Sequence, residues 1–392
     1  MKTYMNRILR NFDYPLFIVY LLLCLFGLIM IYSASMVWAM NIYNFEPSHF
    51  FKKQLMNLAI AIPAFLMVSI IPYRHYRNKK FLYGTLIMMF TLLILVKFIG
   101  FGDAVGAKSW LSLPFGIGNL QPTEVAKIAF IVYFSGVFAN KYYGGTLDEI
   151  KTTIFPTFSV LTASLLLVLL EPDFGATMIL FLVAISVIMA SGMKVKNYLI
   201  ISRFFALLGV LIGIVLWIKW DTVMTASRMG RFLAFTDPFE YIQGSGLQIV
   251  NGYIAIGAGG LKGVGLGNSI QKLGYLPEPH TDVIMAVISE ETGLLGTTLV
   301  LGGLFFIVMR AFTVALRTKD AHARMLAAGV GSLIAIQTLV NLGGLTGLIP
   351  LTGVTLPFIS YGGTSVVFLS IALGILMNVS MFVKYERTSR GD

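Results

Sequence analysis

A single acidic residue, Asp282, stands where a polar stretch of the chain enters an apolar segment. Pro277 and Pro279 stiffen the approach, and His280 lies two residues away. A carboxylate that is partly withdrawn from water can have its pKa tuned toward that of a general base. The alternative is a helix cap, since an aspartate before a helix accepts backbone N–H bonds and suits the positive end of the helix dipole. Spacing alone favours the cap.

Two further acids, Glu290 and Glu291, follow Asp282 by about two helical turns, roughly 12 Å along a helix axis. Ionisable groups at that depth in an apolar segment are costly, and they face the protein interior or a wet cavity. The structural alternative is a buried ion pair with Lys127 or a similar cation. We favour the ion pair for Glu290 and leave both interpretations open for Glu291.

Two more charged motifs border apolar segments. Glu171 and Asp173 flank Pro172, while Glu124 and Lys127 are separated by three positions and therefore share one face of a helix. Each pair could line a polar cavity, and each could equally hold the fold together from within. The spacing does not separate these two interpretations.

Cations suited to an anionic ligand are concentrated in two polar loops, at Lys108, Arg228, Arg231, Lys262 and Lys272. They could hold a phosphate, which arginine binds in a bidentate manner, or they could give only loose attraction to anionic lipid. Trp110 could stack on a sugar or belong to the interfacial belt of a membrane protein. The glycine-rich run 257–267 lacks the G-x-x-x-x-G-K-[ST] pattern, so we assign no nucleotide site to it.

The elements that position these residues are predicted to be membrane-spanning helices. The chain has 392 residues, of which 57% are hydrophobic and 12% charged, with mean hydropathy +0.83. Soluble proteins carry roughly 25% charged residues, and a span needs about 20 apolar residues. We predict an all-α polytopic membrane protein, one domain over 1–392, with about ten transmembrane helices near 15–37, 54–72, 81–99, 123–140, 155–170, 174–192, 198–218, 283–309, 326–348 and 357–383.

The orientation follows from the distribution of positive charge. Most of the 29 Lys and Arg residues fall on the inner side if the N-terminus is cytoplasmic, most clearly in the segment 73–80. The first apolar segment has no cleavage signature and reads as an uncleaved anchor. We therefore predict that both termini are cytoplasmic and that 219–282 is a large extracytoplasmic loop, a length that is usually functional.

Charge and cysteine content exclude two other classes of protein. The formal charge of +11 lies in short loops beside apolar segments, which does not indicate a nucleic-acid partner. The single cysteine, Cys24, excludes an intrachain disulfide scaffold.

Several motifs, taken in order, resemble the SEDS family, the RodA, FtsW and SpoVE group of bacterial peptidoglycan glycosyltransferases. The most specific lie at 276–282 (LPEPHTD), 289–293 (SEETG) and 356–363 (LPFISYGG). Supporting motifs lie at 108–110, 121–127, 172–175, 231–235 and 267–273. The resemblance covers nearly the whole chain, and the segments 13–15 and 32–35 are more similar to the division branch, FtsW, than to RodA.

The resemblance implies an enzyme of the bacterial cytoplasmic membrane that polymerises lipid II into glycan strands at the outer membrane face during cell division. Its implied partners are lipid II, the nascent glycan chain and a class B penicillin-binding protein that acts as transpeptidase. The resemblance also implies that Asp282 is catalytic, which reverses the preference for the cap. The substrate-binding candidates are Trp110, Lys108, Glu124, Lys127, Arg228, Arg231, Lys272, His280 and Ser360.

In the predicted reaction, Asp282 removes the proton from the acceptor sugar hydroxyl while loop cations neutralise the departing pyrophosphate. No cofactor is assigned with certainty, although a divalent cation, Mg²⁺ or Mn²⁺, could share that neutralisation. The alternatives are an elongation-type polymerase, a structural scaffold, and a lipid II flippase. The flippase would use Glu124, Lys127, Asp173 and Glu290 as a polar route through the membrane.

Overall fold

The computed structural model describes residues 10–102, 108–112, 118–171, 173–218, 226–242, 244 and 246–390. Within these ranges the chain is almost wholly helical. The α-helices are α1 (Tyr14–Tyr43), α2 (His49–Ile70), α3 (Lys79–Ile99), α4 (Pro122–Tyr143), α5 (Phe155–Leu169), α6 (Phe174–Met189), α7 (Val195–Ile218), α8 (Ala226–Thr236), α9 (Leu247–Gly259), α10 (Ile284–Arg317), α11 (Ala321–Leu345) and α12 (Ser365–Arg390). Short 3-10 turns occupy Tyr73–Arg77 and Gln271–Leu273, and a π turn at Ile150–Ile154 precedes α5.

The predicted class, a polytopic helical membrane protein, is confirmed. Among the described residues, eight helices are long and apolar enough to cross a membrane. The shorter α6 and the 24-residue α7 match the sixth and seventh predicted spans. The last span begins at Ser365 rather than near 357, because the segment 357–364 is a succession of turns.

Helix α4 lies at the centre of the bundle. An 18-residue stretch of α4 is 89% buried inside the protein, whereas the corresponding stretch of α3 is 22% buried. The outward side chains of α3 are large and apolar, as at Ile87 and Phe98. Backbone groups of a helix are satisfied internally, so such an apolar surface suits hydrocarbon. Helix α4 packs against α3, α6 and α11, which places its polar residues among other helices rather than lipid.

Two ends of the bundle can be distinguished from their contacts. At what we call the Asp282 end, Asn341 near the C-terminus of α11 donates to the backbone oxygen of Asp282 (2.6 Å). At the Asp320 end, the Tyr73 hydroxyl donates to Asp320 Oδ2 (3.2 Å), and Asp320 precedes the N-terminus of α11. The two ends are therefore separated by the length of α11.

Helix α10 is broken at Gly293, whose φ of 63° and ψ of −157° are not helical. This region of φ is accessible to glycine at little cost. The break frees backbone groups, and the glycine-rich run 257–267 satisfies them. The N–H groups of Val264 and Gly265 donate to the carbonyls of Glu290 (2.9 Å) and Glu291 (3.0 Å), and Leu294 N–H donates to Gly260 (3.0 Å). The glycine-rich run thus packs against both sides of the break in α10.

The segment between α7 and α10, predicted as one large loop, contains regular structure. Helices α8 and α9 occupy part of it, and α9 packs against α10. The loop between α3 and α4 contains a short antiparallel hairpin in which Leu111 pairs with Leu120, extended by a bridge between Phe101 and Trp110.

Helix α1 approaches the segment 356–363 closely through Gly27. A Cβ atom at that position would lie 2.8 Å from Ile359 Cα, a separation that side chains do not reach. The Tyr20 hydroxyl also lies 2.8 Å from Ser370 Oγ on α12. Helix α1 therefore holds the irregular segment from inside the bundle.

Candidate active site

Asp282 lies in a turn immediately before α10. The turn is closed by a hydrogen bond from Thr281 N–H to the Glu278 carbonyl (3.1 Å). The Asp282 side chain is half-buried, and its Oδ1 accepts from Gln248 Nε2 (3.1 Å) and from Thr281 Oγ1 (3.2 Å). Among the described residues, both side-chain donors to this carboxylate bind Oδ1. Neighbouring side chains thus hold Oδ1 in place, whereas no described side chain donates to Oδ2.

The helix-cap interpretation of Asp282 is wrong. The N-cap position of α10 is Val283, and no side chain caps that helix. The Asp282 carboxylate instead contacts α9 through Gln248, and its backbone carbonyl is bound by Asn341. The two connections fix the acid between α9 and α11.

Burial dominates the electrostatics of Asp282. Loss of solvent raises the pKa of this carboxyl above its ordinary value, and the hydrogen bonds from Thr281 and Gln248 and the charge of Arg231 offset part of that rise. A carboxylate with a raised pKa is a stronger base once it is ionised. Arg231 lies on α8 with an exposed side chain, so it combines proximity to Asp282 with access to solvent.

A second polar cluster lies in α4 and α11. Lys127 Nζ donates to Glu124 Oε1 (2.9 Å) and to Gln337 Oε1 (3.2 Å), and both charged side chains are buried. Gln337 in turn donates to the Thr355 carbonyl (3.1 Å). Of the two interpretations left open for Glu124 and Lys127, the structure shows the internal ion pair, and the polar cavity stays a prediction.

Asp173 adjoins this cluster from the N-terminus of α6. Its Oδ1 accepts from Ala176 N–H (2.8 Å), and its Oδ2 accepts from Gln121 Nε2 (3.3 Å). Burial raises the pKa of Asp173, while the positive charge of Lys127 opposes that rise. The acid thus caps α6 and also belongs to the electrostatic surroundings of Lys127.

The segment 350–364 connects the two clusters through neighbouring turns of α11. Asn341 donates to the Val354 carbonyl (2.7 Å) as well as to Asp282, and Gln337 donates to Thr355. Residues four apart lie on one helix face. Asn341, Gln337 and Gln248 were not singled out from the sequence, although two amides spaced by four in an apolar helix were a usable signal.

His280 and Ser360 shape the turn beside Asp282. The buried His280 ring contacts Phe50 in a tilted arrangement with centroids 4.2 Å apart, and burial lowers the pKa of His280 to about 3. The His280 carbonyl accepts from Tyr361 N–H (2.9 Å), and Ser360 Oγ accepts from Leu356 N–H (2.9 Å). The backbone bond between Tyr361 and His280 thus links the motif 356–363 to the motif 276–282.

Lys272 is a buried ion-pair partner. Its ammonium is completely buried and contacts Glu291 Oε1 (2.6 Å) and Ser33 Oγ (2.8 Å). The ion pair that we favoured for Glu290 is formed by Glu291 instead. Glu290 accepts from the hydroxyl of Ser269 and from Ile270 N–H, so it holds the same segment without a cation. Burial removes Lys272 from the set of cations that can reach a phosphate.

The other predicted binding residues are less constrained. The Lys108 and Lys262 side chains are exposed, and Trp110 is half-buried in the hairpin loop. Arg228 belongs to α8, and its side chain lies outside the described residues. Within the described ranges, no three His, Cys, Asp or Glu side chains converge as a metal cage would require. The divalent cation stays a prediction.

Comparison with known proteins identifies relatives over nearly the whole chain. A family model for FtsW, RodA and SpoVE, described as "Cell cycle protein", matches residues 14–385. The "Probable peptidoglycan glycosyltransferase FtsW" of Bacillus subtilis (strain 168) is 40% identical over 387 residues, covering 98% of this chain and 94% of the relative. The "Stage V sporulation protein E" of the same organism is 36% identical over 377 residues, covering 95% and 98% of the two chains.

Solved structures share the fold. A chain described under "Structural coordination of polymerization and crosslinking by a peptidoglycan synthase complex" superposes with a TM-score of 0.71 at 21% identity, covering 95% of this chain and 98% of that one. The Rod shape determining protein RodA of Thermus thermophilus gives a TM-score of 0.65 at 21% identity, covering 94% and 96%.

Proposed function

The chain belongs to the FtsW, RodA and SpoVE family of cell cycle proteins, and from this membership we infer that it is a peptidoglycan glycosyltransferase. Its substrate is lipid II, which it polymerises into glycan strands at the outer face of the cell membrane. The similarity to FtsW proteins of several bacteria supports a role in division rather than elongation.

The environment of Asp282 is the observation that carries the catalytic assignment. One oxygen is oriented by Gln248 and Thr281, the other accepts from no side chain of the described residues, and burial raises the pKa of the group. A helix cap would have used the carboxylate on backbone N–H groups, and α10 has no such cap. This arrangement leaves a basic oxygen directed by its neighbours and open to an acceptor hydroxyl.

The chemistry is a single displacement. Asp282 Oδ2 takes the proton of the acceptor hydroxyl while the oxygen of that hydroxyl attacks the anomeric carbon of the donor sugar. The bond from that carbon to the lipid pyrophosphate breaks, and its electron pair leaves with the pyrophosphate. One displacement inverts the anomeric carbon and needs no covalent enzyme intermediate.

The leaving pyrophosphate needs positive charge more than a proton donor. Arg231 is exposed and acts electrostatically on Asp282, so it is the first cation that we assign to this task. Arg228 on the same helix and the exposed Lys262 complete the set, and Lys272 is excluded by its burial. Arginine suits the role because its planar group binds two phosphate oxygens at once.

The cluster of Glu124, Lys127 and Asp173 is assigned to substrate binding. Glu124 and Lys127 are buried in α4, and Lys127 contacts Gln337 of α11. Gln337 in turn donates to Thr355, in the segment 350–364 that Asn341 connects to Asp282. A buried charged group is stabilised in its ionised form by its hydrogen bonds. At membrane depth, such groups commonly line functional cavities. Sugar hydroxyls of the bound substrate would exchange with these side-chain contacts.

The decisive experiment is Asp282→Asn in purified protein supplied with lipid II. Asparagine keeps the shape but cannot accept a proton at neutral pH, so glycan polymerisation should fall by at least about 100-fold. Glu240→Gln is the matched control, since Glu240 is an exposed acid of the same extracytoplasmic segment. Polymer yield equal to that of the control would refute the assignment.

A second experiment reconstitutes the protein in liposomes that contain fluorescent lipid II and measures movement of the lipid across the bilayer. It checks the class of activity separately. Polymer formation without transbilayer movement supports the polymerase, whereas movement without polymer would support the flippase. The cross-linking partner is proposed to be a class B penicillin-binding protein. That proposal draws on the fold shared with a chain of a peptidoglycan synthase complex, and co-purification of the two membrane proteins tests it.

A further inference from the structure

A cavity of ≈ 350 Å³ lies at the Asp320 end of the bundle, opposite the catalytic acid. Its lining consists of Arg74, Arg77, Tyr143, Asp320 and His322. These residues come from the 3-10 turn Tyr73–Arg77, the end of α4 and the start of α11, so the cavity lies at the junction of three elements. None of them takes part in the chemistry assigned to Asp282.

The two arginines give the cavity positive charge. The Arg77 guanidinium lies 4.9 Å from the Tyr143 ring centroid, and no carboxylate of the described residues lies within ion-pair distance of it. The Arg74 guanidinium forms an ion pair with Glu386, with 3.1 Å between the nitrogen and Oε1. Stacking on an aromatic ring fixes the plane of a guanidinium while leaving its N–H groups available. Arg77 is therefore oriented and uncompensated.

Asp320 brings one negative charge to the cavity lining, but both of its oxygens are engaged by donors of the protein. Oδ1 accepts from the N–H groups of His322 (2.8 Å) and Ala323 (3.1 Å), and Oδ2 accepts from the Tyr73 hydroxyl. The acid thus acts as the cap of α11. The two arginines remain as the attractive groups, and Arg77 is the one without a carboxylate partner among the described residues.

His322 is an independent indication of a ligand. Its side chain is 1% exposed, it lines the cavity, and neither ring nitrogen has a hydrogen-bond partner in the described structure. A buried polar atom without a partner costs free energy, and native structures rarely leave both nitrogens of an imidazole unused. A bound oxygen acceptor would satisfy the N–H of this ring.

We propose that this cavity binds a phosphate-bearing anion, through bidentate contact with Arg77, a second charge from Arg74 and a hydrogen bond from His322. The phosphate belongs either to a phospholipid head group or to a soluble phosphate ester, since both present the same oxygens. Positive pockets between helices suit lipid head groups in particular. The occupied site would join α4 to α11, the helices that carry Lys127 and Gln337.

The head-group arm of the test uses full-length protein in nanodiscs of mixed phosphatidylglycerol and phosphatidylcholine, analysed by native mass spectrometry. Phosphatidylglycerol should be retained preferentially, and Arg77→Gln should reduce its retention about tenfold, the effect of one lost charge-assisted contact. Lys79→Gln is the matched control, since Lys79 is an exposed cation that follows the same turn but does not line the cavity. Its retention should equal that of the unmodified protein.

The soluble arm measures binding of inorganic phosphate by calorimetry in neutral detergent. Loss of phosphate binding in Arg77→Gln, with lipid retention unchanged, assigns the site to a soluble phosphate ester. His322→Asn tests the same cavity without removing charge and serves if Arg77→Gln fails to fold. Equal behaviour of the cavity variants, the Lys79 control and the unmodified protein in both arms would overturn the proposal, as would absence of both ligands from the unmodified protein.

Discussion

The catalytic assignment depends on a few side chains that are arranged around one carboxyl group. Gln248 orients Asp282 from α9, and Asn341 holds its backbone from α11, so the acid does not depend on its own turn alone. Because burial raises its pKa, activity should increase with pH as Asp282 ionises and should be lost toward acid. Mutation of either amide should reduce activity while leaving the acid itself present.

Glu171 gives a pH-dependent stability at a second position. Both of its carboxylate oxygens are buried without a hydrogen-bond partner among the described residues, and burial raises its pKa from 4.5 to about 8. A raised carboxyl pKa stabilises the fold below 4.5, and this contribution is lost as pH rises toward 8, by at most about 1.4 kcal/mol per pH unit.

Glu171→Gln should therefore flatten the decline in thermal stability of the detergent-solubilised protein across this pH range. The part of the decline that arises from Asp173 and Asp282 should persist, since burial raises the pKa of both. Glu240→Gln, at an exposed acid, is the control and should leave the slope unchanged. A slope that is identical in all three proteins would contradict the assignment to Glu171.

The buried Lys272–Glu291 ion pair predicts a loss of stability when one partner is replaced. Both side chains are completely buried, so Lys272→Met leaves an uncompensated charge and should cost about 3–5 kcal/mol. Adding Glu291→Gln should restore part of that loss, because the second change removes the stranded charge.

Thermal unfolding of the single and double variants measures this coupling. Lys262→Met is the control, since Lys262 is an exposed cation in the same segment of the chain. Additive effects of the two substitutions would show that the pair is not coupled.

At the scale of elements, the break in α10 is the feature with the clearest test. An alanine Cβ at position 293 would lie 2.4 Å from Gly263 N, and the residue would keep a φ of 63°. Gly293→Ala should therefore destabilise the protein by at least about 2 kcal/mol, from backbone strain and the steric clash together.

Gly302→Ala is the matched control on the same helix. Nothing lies within 4 Å of a Cβ at Gly302, and its backbone is helical, so alanine there should be neutral or stabilise by up to about 1 kcal/mol. Equal melting temperatures for the two variants would argue against the importance of the break.

The positions of the helices could be predicted from the sequence, whereas most contacts between polar side chains could not. Apolar segments of about 20 residues are set by composition, so the helices of the predicted spans could be located from the chain alone. The partners of a buried charge depend on which helices are neighbours. The position of Lys272 in a polar loop predicts a phosphate ligand, and only the packing of that loop on Ser33 and Glu291 shows that Lys272 is buried.

For the whole molecule, the positive-inside pattern predicts that the Asp282 end faces outward and the Asp320 end faces the cytoplasm. Thiols introduced by Leu261→Cys and Lys319→Cys, both in a Cys24→Ala background, test this orientation. An impermeant maleimide should label position 261 in intact protoplasts and position 319 only after permeabilisation. Leu261 and Lys319 are both exposed, so a difference in labelling reports sidedness. The reverse pattern would invert the topology and remove the active site from its proposed location.

The interruption of α10 at Gly293 separates the part of the helix that follows Asp282 from the part that continues to Arg317. The part that follows Asp282 is bonded through its carbonyls to the backbone of Val264 and Gly265, and the N–H of Leu294, beyond the break, donates to Gly260. The glycine-rich segment therefore bridges the interruption and couples the two parts of the helix. We expect a protein that docks on this segment to shift both parts of α10 together, and with them the turn that carries Asp282.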